Sequence, residues 1–177
     1  QYRYCPFQGL GAFEATHADF FFGREELTQS LVQMVEGSRL SLVTGAAGIG
    51  KTSLLRAGLM HALTAHQPKQ PDICWDIRYV SLGFDPLKQL AEAFVDPQVS
   101  GLKRAEQIRT AESFFHSRAQ GMTQLVQATL SQHQDTGVQD RRILLVIDQF
   151  EALFGPNSDH SLADQRQAVI DCLTAVA

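Results

Sequence analysis

Gly45-Ala46-Ala47-Gly48-Ile49-Gly50-Lys51-Thr52 is the stretch that decides the fold, because it fits the G-x-x-x-x-G-K-[ST] phosphate-binding pattern with no mismatch. Its flanks suit it. Arg39-Leu40-Ser41-Leu42-Val43-Thr44 before it reads as a buried strand, and Ser53-Leu54-Leu55-Arg56-Ala57-Gly58-Leu59-Met60 after it reads as the start of a helix. Glycines let a backbone curl so that successive N–H groups point at phosphate oxygens, and a helix N-terminus adds a favourable partial charge. Lys51 is then expected to reach the β- and γ-phosphates and the Thr52 hydroxyl to take one position on Mg²⁺. The loop residues Gly45 to Thr52, with Ser53 behind them, form the expected binding site of a nucleoside triphosphate.

Composition sets the frame. A chain of 177 residues, 44% hydrophobic and 19% charged, is long enough to bury a core, and one domain is the default expectation. The net charge of -4 argues against a nucleic-acid surface, which needs a basic face. Cys5, Cys74 and Cys172 lack metal-site spacing, are odd in number and read as reduced thiols, so a cytoplasmic protein is expected. Apolar runs such as Ile143 to Ile147 are strand-sized, far below the ~20 residues of a membrane span, and no signal peptide is recognisable.

Along the chain the elements follow an α/β order. Gln1 to Phe13 is an irregular lead-in expected to pack through Tyr4, Phe7 and Phe13. From Asp19 or Gly23 to about Glu36, Leu27, Leu31, Val32, Met34 and Val35 recur at helical spacing, and Gly37 closes the helix. A second helix spans Lys51 to about His66, before Pro68 and Pro71 break the pattern. Trp75 to Leu82 alternates as a strand and ends at Gly83. Between Asp85 and Gln134 the reading is helical in three pieces: one capped by Asp85 with Pro86 at its first position, one over Leu102 to Gln120, and one over Met122 to His133 with Leu125, Val126, Thr129 and Leu130 inward. A polar loop, Asp135 to Asp140, leads to the strand Ile143 to Asp148, apolar on both faces as in a central parallel strand. Ser161 to Val176 closes the chain as a helix with Ala168, Val169, Leu173 and Val176 facing in. The architecture expected is three-layer α/β/α with a parallel sheet.

A hydrophobic strand ending in an acid is the companion of a phosphate loop, so Asp148 is expected to hold Mg²⁺, usually through a coordinated water. Hydrolysis further requires a group that orients the attacking water. Gln149 occupies the position where many such ATPases carry an acid, and it is able to orient water but not to accept a proton. Three readings stand: Glu151 acts as base, Gln149 positions water, or turnover is slow. A third signal is Asp19-Phe20-Phe21-Phe22-Gly23-Arg24-Glu25-Glu26. It reads either as an aromatic wall and turn for a purine or as a hydrophobic plug with a helix cap.

These segments together carry a family resemblance. Cys5-Pro6-Phe7-Gln8-Gly9-Leu10 with Phe13-Glu14, the Phe20 to Glu25 segment, the phosphate loop, and Asp148-Gln149-Phe150-Glu151-Ala152-Leu153-Phe154 resemble the novel STAND NTPases, signal-transduction ATPases with numerous domains related to AAA+ and origin-recognition ATPases. The resemblance implies that Phe22, Gly23 and Arg24 lie against the adenine and that Lys51, Thr52 and Asp148 hold phosphate and Mg²⁺. It further implies an ATP-driven switch in a bacterial multidomain signalling or defence protein. Partners expected are the nucleotide, other domains of the same longer chain and further copies in a homo-oligomer formed on activation, without membrane or direct nucleic-acid contact.

In this class the strand beside the phosphate-loop strand comes after the one ending in Asp148 and carries a polar or arginine sensor, whereas this sequence stops at Ala177. The expectation is therefore the N-terminal part of a single domain, with 1–22 as lead-in and 23–177 as an incomplete core. Two other functions stay open: a nucleotide-binding scaffold without hydrolysis, motivated by Gln149, and a phosphate-loop small-molecule kinase, against which stands the lack of an arginine-rich lid between Asp85 and Gln134. The six scattered histidines read as surface or satisfied interior residues. Arg141-Arg142 read as solvating the start of the buried strand, with an intersubunit arginine finger as the sharper alternative.

Overall fold

The computed structural model describes residues 9, 11–66, 73–115, 117–131, 140–154 and 160–176. The expected contacts of Tyr4 and Phe7, and the loop 135–139, lie outside those residues. The chain divides into two compact units, Gln1–Trp75 and Asp76–Ala177.

In the first unit a 3-10 turn, Ala15–Phe20, precedes helix α1 (Glu25–Gly37). Gly23 N–H donates to the Glu25 carboxylate at 2.9 Å, which satisfies an amide just ahead of the helix. Leu31 is buried and Val32 and Val35 are half-buried, but Leu27 and Met34, which share the helical spacing, are 46% and 47% exposed. The inward stripe is thus narrower than the apolar spacing implied, because it follows the contacts available to α1 rather than hydrophobicity alone. Gly37 is the last helical residue, not the one beyond it.

Behind the phosphate loop the chain is helical from Lys51 to His66, in three contiguous pieces: α2 (Lys51–Ser53), a π-helical stretch (Leu54–Met60) and α3 (His61–His66). Leu54, Ala57, Leu59 and Leu63 form its buried side. Gly58 lies where α1 comes close: a β-carbon there would stand 2.7 Å from Thr28 Oγ1. The helix therefore matches the sequence reading in extent while differing in pitch. The strand expected over Arg39–Thr44 does not form. These residues have no strand assignment, and Leu40 and Leu42, expected buried, are 71% and 74% exposed. A strand exists through its ladder partners, and among the described residues none pairs with this run.

The second unit holds the sheet. β1 (Ile73–Ser81), which begins in the last residues of the first unit, and β2 (Asp140–Asp148) make a two-stranded parallel sheet, the whole of the sheet among the described residues. Leu82 N–H donates to the Asp148 carbonyl at 3.1 Å, so both strands finish at one edge. The chain is thus mixed α/β, but the described residues do not build the three-layer sheet expected. β2 also starts earlier than expected, since Asp140 clamps Arg142 with two charge-assisted bonds and draws the Arg-Arg pair into the strand. That contact holds the Asp140 carboxyl below its ordinary range.

The helices of this unit are α4 (Pro86–Glu92), α5 (Gly101–Phe115), α6 (Arg118–Ser131) and α7 (His160–Val176). Asp85 caps α4 by accepting from Lys88 N–H at 3.3 Å, as the Asp-Pro pair predicts. The single helix expected over 102–120 is instead interrupted after Phe115. Gly121 explains the corner: a β-carbon there would collide with the Phe114 carbonyl, so α6 passes over the end of α5 where only glycine fits. Leu90, Ala91, Phe115, Val169 and Cys172 have no exposed surface, and with Val80, Leu82, Met122 and Leu125 they make the core against the sheet. Thr129 is buried as expected and returns its hydroxyl to the Leu125 carbonyl. Val176, expected inward, is 36% exposed at the end of α7.

Candidate functional site

The expected phosphate loop, Gly45 to Thr52, is an open turn. Gly45 to Gly50 are all exposed, and Gly48 and Gly50 have φ of 75° and 94°, which non-glycine residues adopt only with strain. Ile49 N–H reaches the Ala46 carbonyl at 3.4 Å, and Leu54 N–H reaches the Gly50 carbonyl at 2.9 Å as the helix starts. Gly45 takes its place because a β-carbon there would press Ile49 Cγ2 at 3.3 Å. Lys51 folds back into this turn. Its Nζ donates to the carbonyls of Gly45 at 3.0 Å and Ala46 at 3.1 Å. An ammonium held by two backbone carbonyls is close to the loop and replaceable: an anion in the turn offers it stronger, charge-assisted partners.

Thr52 is half-buried one residue further, while Ser53 is 8% exposed. Its Oγ accepts the Phe13 N–H at 3.1 Å, tying the lead-in to the first turn of the helix. Arg56 pairs with Glu14 one turn on, and Phe13 and Phe21 meet with ring centroids 5.8 Å apart. The lead-in is therefore fastened to the phosphate-loop helix by a hydrogen bond, an ion pair and an aromatic contact.

Of the residues expected beside the adenine, Phe22 is 76% exposed, Gly23 has a φ of 78°, and Arg24 extends its Nη2 to the Ile49 carbonyl at 3.5 Å. The exposure of Phe22 removes the plug reading for that ring, since a plug is buried. Arg24 brings the segment to the phosphate loop, a link that sequence spacing did not reveal. Hydrogen bonds from the Gly23 N–H and adjacent backbone hold the Glu25 carboxyl below its ordinary range. A cavity of about 470 Å³ in the same unit lies between α1 and the helix behind the loop, lined by Phe21, Thr28, Val32, Gly58, His61 and Trp75 among others. None of Gly45 to Thr52 lines it.

In the second unit Asp148 ends β2 at 7% exposure. Its Oδ1 accepts the Gln149 N–H at 2.9 Å and its Oδ2 accepts the Tyr79 hydroxyl at 2.7 Å. Gln149 is exposed with a φ of 56°, and its carbonyl accepts the Ala152 N–H at 2.9 Å, starting a 3-10 turn over Phe150–Phe154. Glu151 lies exposed in the first turn of that element. The chain thus reverses sharply after the acid and leaves the Gln149 side chain and Glu151 in solvent. Tyr79 went unnoticed as a site residue: its only signal was a polar tip on an otherwise alternating strand. Its partner, 69 positions away, is set by strand register.

These features fit a nucleoside triphosphate and its Mg²⁺ by their chemistry. In the first unit, glycines at positive φ and a lysine within the loop suit a polyphosphate; in the second, a buried carboxylate suits a cation. Among the described residues no group of three His, Cys, Asp or Glu side chains gathers to hold a metal by itself. A Mg²⁺ held on the Asp148 carboxylate would need its remaining ligands from water or from a bound ligand's oxygens. No helix among the described residues is long and apolar enough to cross a membrane.

The family described as Novel STAND NTPase 1 matches residues 6–177. No curated protein and no solved structure matches the chain.

Proposed function

Since the chain belongs to the novel STAND NTPase 1 family, we propose that it is the nucleotide-gripping module of a switch that binds ATP with Mg²⁺ and hydrolyses it slowly. The observation that carries this reading is Lys51, held on the Gly45 and Ala46 carbonyls inside a turn whose glycines at 48 and 50 have positive φ. In the proposed cycle Lys51 exchanges those carbonyls for the β- and γ-phosphates, loop N–H groups take further oxygens, and Thr52 and Asp148 hold Mg²⁺. Mg²⁺ supplies neutralisation of the phosphate charge when bound. Phe22, Gly23 and Arg24 take the adenine side. Arg24, on the Ile49 carbonyl, makes that side sensitive to the loop's state.

A complete phosphate-loop sheet belongs to the same proposal. Exposed Leu40 and Leu42 in a run of strand-forming residues support pairing with a strand from further along a longer chain. Adjoining domains and further copies of the chain would then read the bound nucleotide. A ligand moves such an equilibrium only by its differential affinity for the two states, so loss of the γ-phosphate would release what the triphosphate holds. The cytoplasm is the compartment proposed.

Gln149 favours a second reading. Exposed and unable to accept a proton, it suits a scaffold that binds ATP without turning it over. Phosphate release by the purified full-length protein separates the two: release that disappears in Lys51→Ala supports the ATPase, whereas ATP binding with no release leaves the scaffold. Transfer of the γ-phosphate to an added small molecule would instead favour a kinase.

A further inference from the structure

The buried acid at the end of β2 is gripped from two sides, and one grip comes from the neighbouring strand. Tyr79, half-buried on β1, donates its hydroxyl to Asp148 Oδ2 at 2.7 Å, while the Gln149 N–H donates to Oδ1 at 2.9 Å. The short O–H···O⁻ distance is that of a charge-assisted bond, the stronger class of hydrogen bond. The backbone fixes it. Leu82 N–H on the Asp148 carbonyl at 3.1 Å ties the ends of the two strands together, and the phenol reaches the acid from further back on β1.

A carboxylate offers two oxygens with about four lone-pair sites in all, and bonds on both oxygens orient the group. Asp148 needs such orientation if it is to present one oxygen to a Mg²⁺-bound water in a constant direction. Gln149, next in the chain, cannot give it alone. Its N–H reaches Oδ1, and the Tyr79 hydroxyl on Oδ2 opposes rotation of the carboxylate from the other side.

We infer that Tyr79 is a positioning residue for Asp148, its hydroxyl fixing the carboxylate in the orientation that receives Mg²⁺ together with ATP. The inference rests on the Mg²⁺ role proposed for Asp148. Tyr79 contacts neither nucleotide nor metal in this account and acts through the acid. Phenylalanine at 79 keeps the ring and its packing while removing the donor, so Asp148 would gain freedom that Mg²⁺ binding must then remove.

The test uses full-length wild type, Tyr79→Phe, Asp148→Asn and the double variant. Binding of a fluorescent ATP analogue is followed in EDTA and against increasing Mg²⁺, with thermal melting of each protein as a control. Tyr79→Phe is expected to raise the half-maximal Mg²⁺ concentration by about threefold to tenfold, the range that one hydrogen bond supports, with binding in EDTA unchanged and a cooperative melt retained at a somewhat lower temperature. In the Asp148→Asn background Tyr79→Phe is expected to add no further shift, because both act through one group. An unchanged or lowered Mg²⁺ midpoint for Tyr79→Phe overturns the inference while the Asp148 reading stands. So does an equal loss of binding in EDTA, or a full extra shift in the double variant. A wild-type midpoint in Asp148→Asn overturns the Asp148 reading, and this inference with it.

Discussion

Gln149 is the single residue with a positive φ among those described, glycines aside. A side chain at φ 56° carries strain of about 1 kcal/mol, and it is tolerated because the Asp148 carboxylate holds the Gln149 amide and the Ala152 amide holds its carbonyl. Gln149→Gly should therefore stabilise the fold by up to about 1 kcal/mol in urea unfolding, while slowing any phosphate release that depends on its amide. A second residue-scale expectation follows from Glu25. Its carboxyl lies below the ordinary range because the Gly23 N–H and adjacent backbone donate to it. The stabilisation it gives the start of α1 is present above the ordinary glutamate range and lost as the pH falls through the lowered value. Acid titration of α1 amide exchange should show this loss, and Glu25→Gln should abolish it.

At the scale of elements, α5 and α6 are set by contacts across the core rather than by periodicity. Gly121→Ala would press a methyl group on the Phe114 carbonyl, a backbone atom with no rotamer to yield, and should cost about 2 kcal/mol or more. Phe115→Ala empties a fully buried ring site and should cost about 3–5 kcal/mol, whereas Asp85→Ala removes only a cap and should cost about 1 kcal/mol. Chemical denaturation of the three variants checks this ranking. The same comparison shows what the sequence made legible. The Asp85-Pro86 cap, the helix behind the phosphate loop and the acid-ended strand were readable, since each depends on residues adjacent in the chain. The corner after Phe115 was not, because it depends on one glycine crossing a carbonyl. The Tyr79–Asp148 bond was equally hidden, since register between distant strands decides it.

For the whole molecule, Arg39–Thr44 separates what composition dictates from what assembly provides. Its apolar, branched residues are those of a buried strand, yet Leu40 and Leu42 face solvent because no described strand pairs with them. Under the proposal that a longer chain supplies a neighbouring strand, the amides of Leu40, Leu42 and Thr44 should be at least about 100-fold better protected from exchange in full-length protein than in residues 1–177 alone. Equal exchange in both would remove that part of the proposal. Of the candidate nucleotide site, the loop and its lysine were legible from eight residues, and the structure adds their contacts: Lys51 on two carbonyls, and the lead-in tied at Ser53 and Arg56. The most direct test of nucleotide gripping is equilibrium binding of ATP to full-length protein in the presence of Mg²⁺, wild type against Lys51→Ala. Saturable one-to-one binding that Lys51→Ala weakens by at least about 30-fold, as loss of a charge-assisted contact of about 2 kcal/mol or more implies, is the predicted result; no binding by wild type, or equal binding by both proteins, would contradict it.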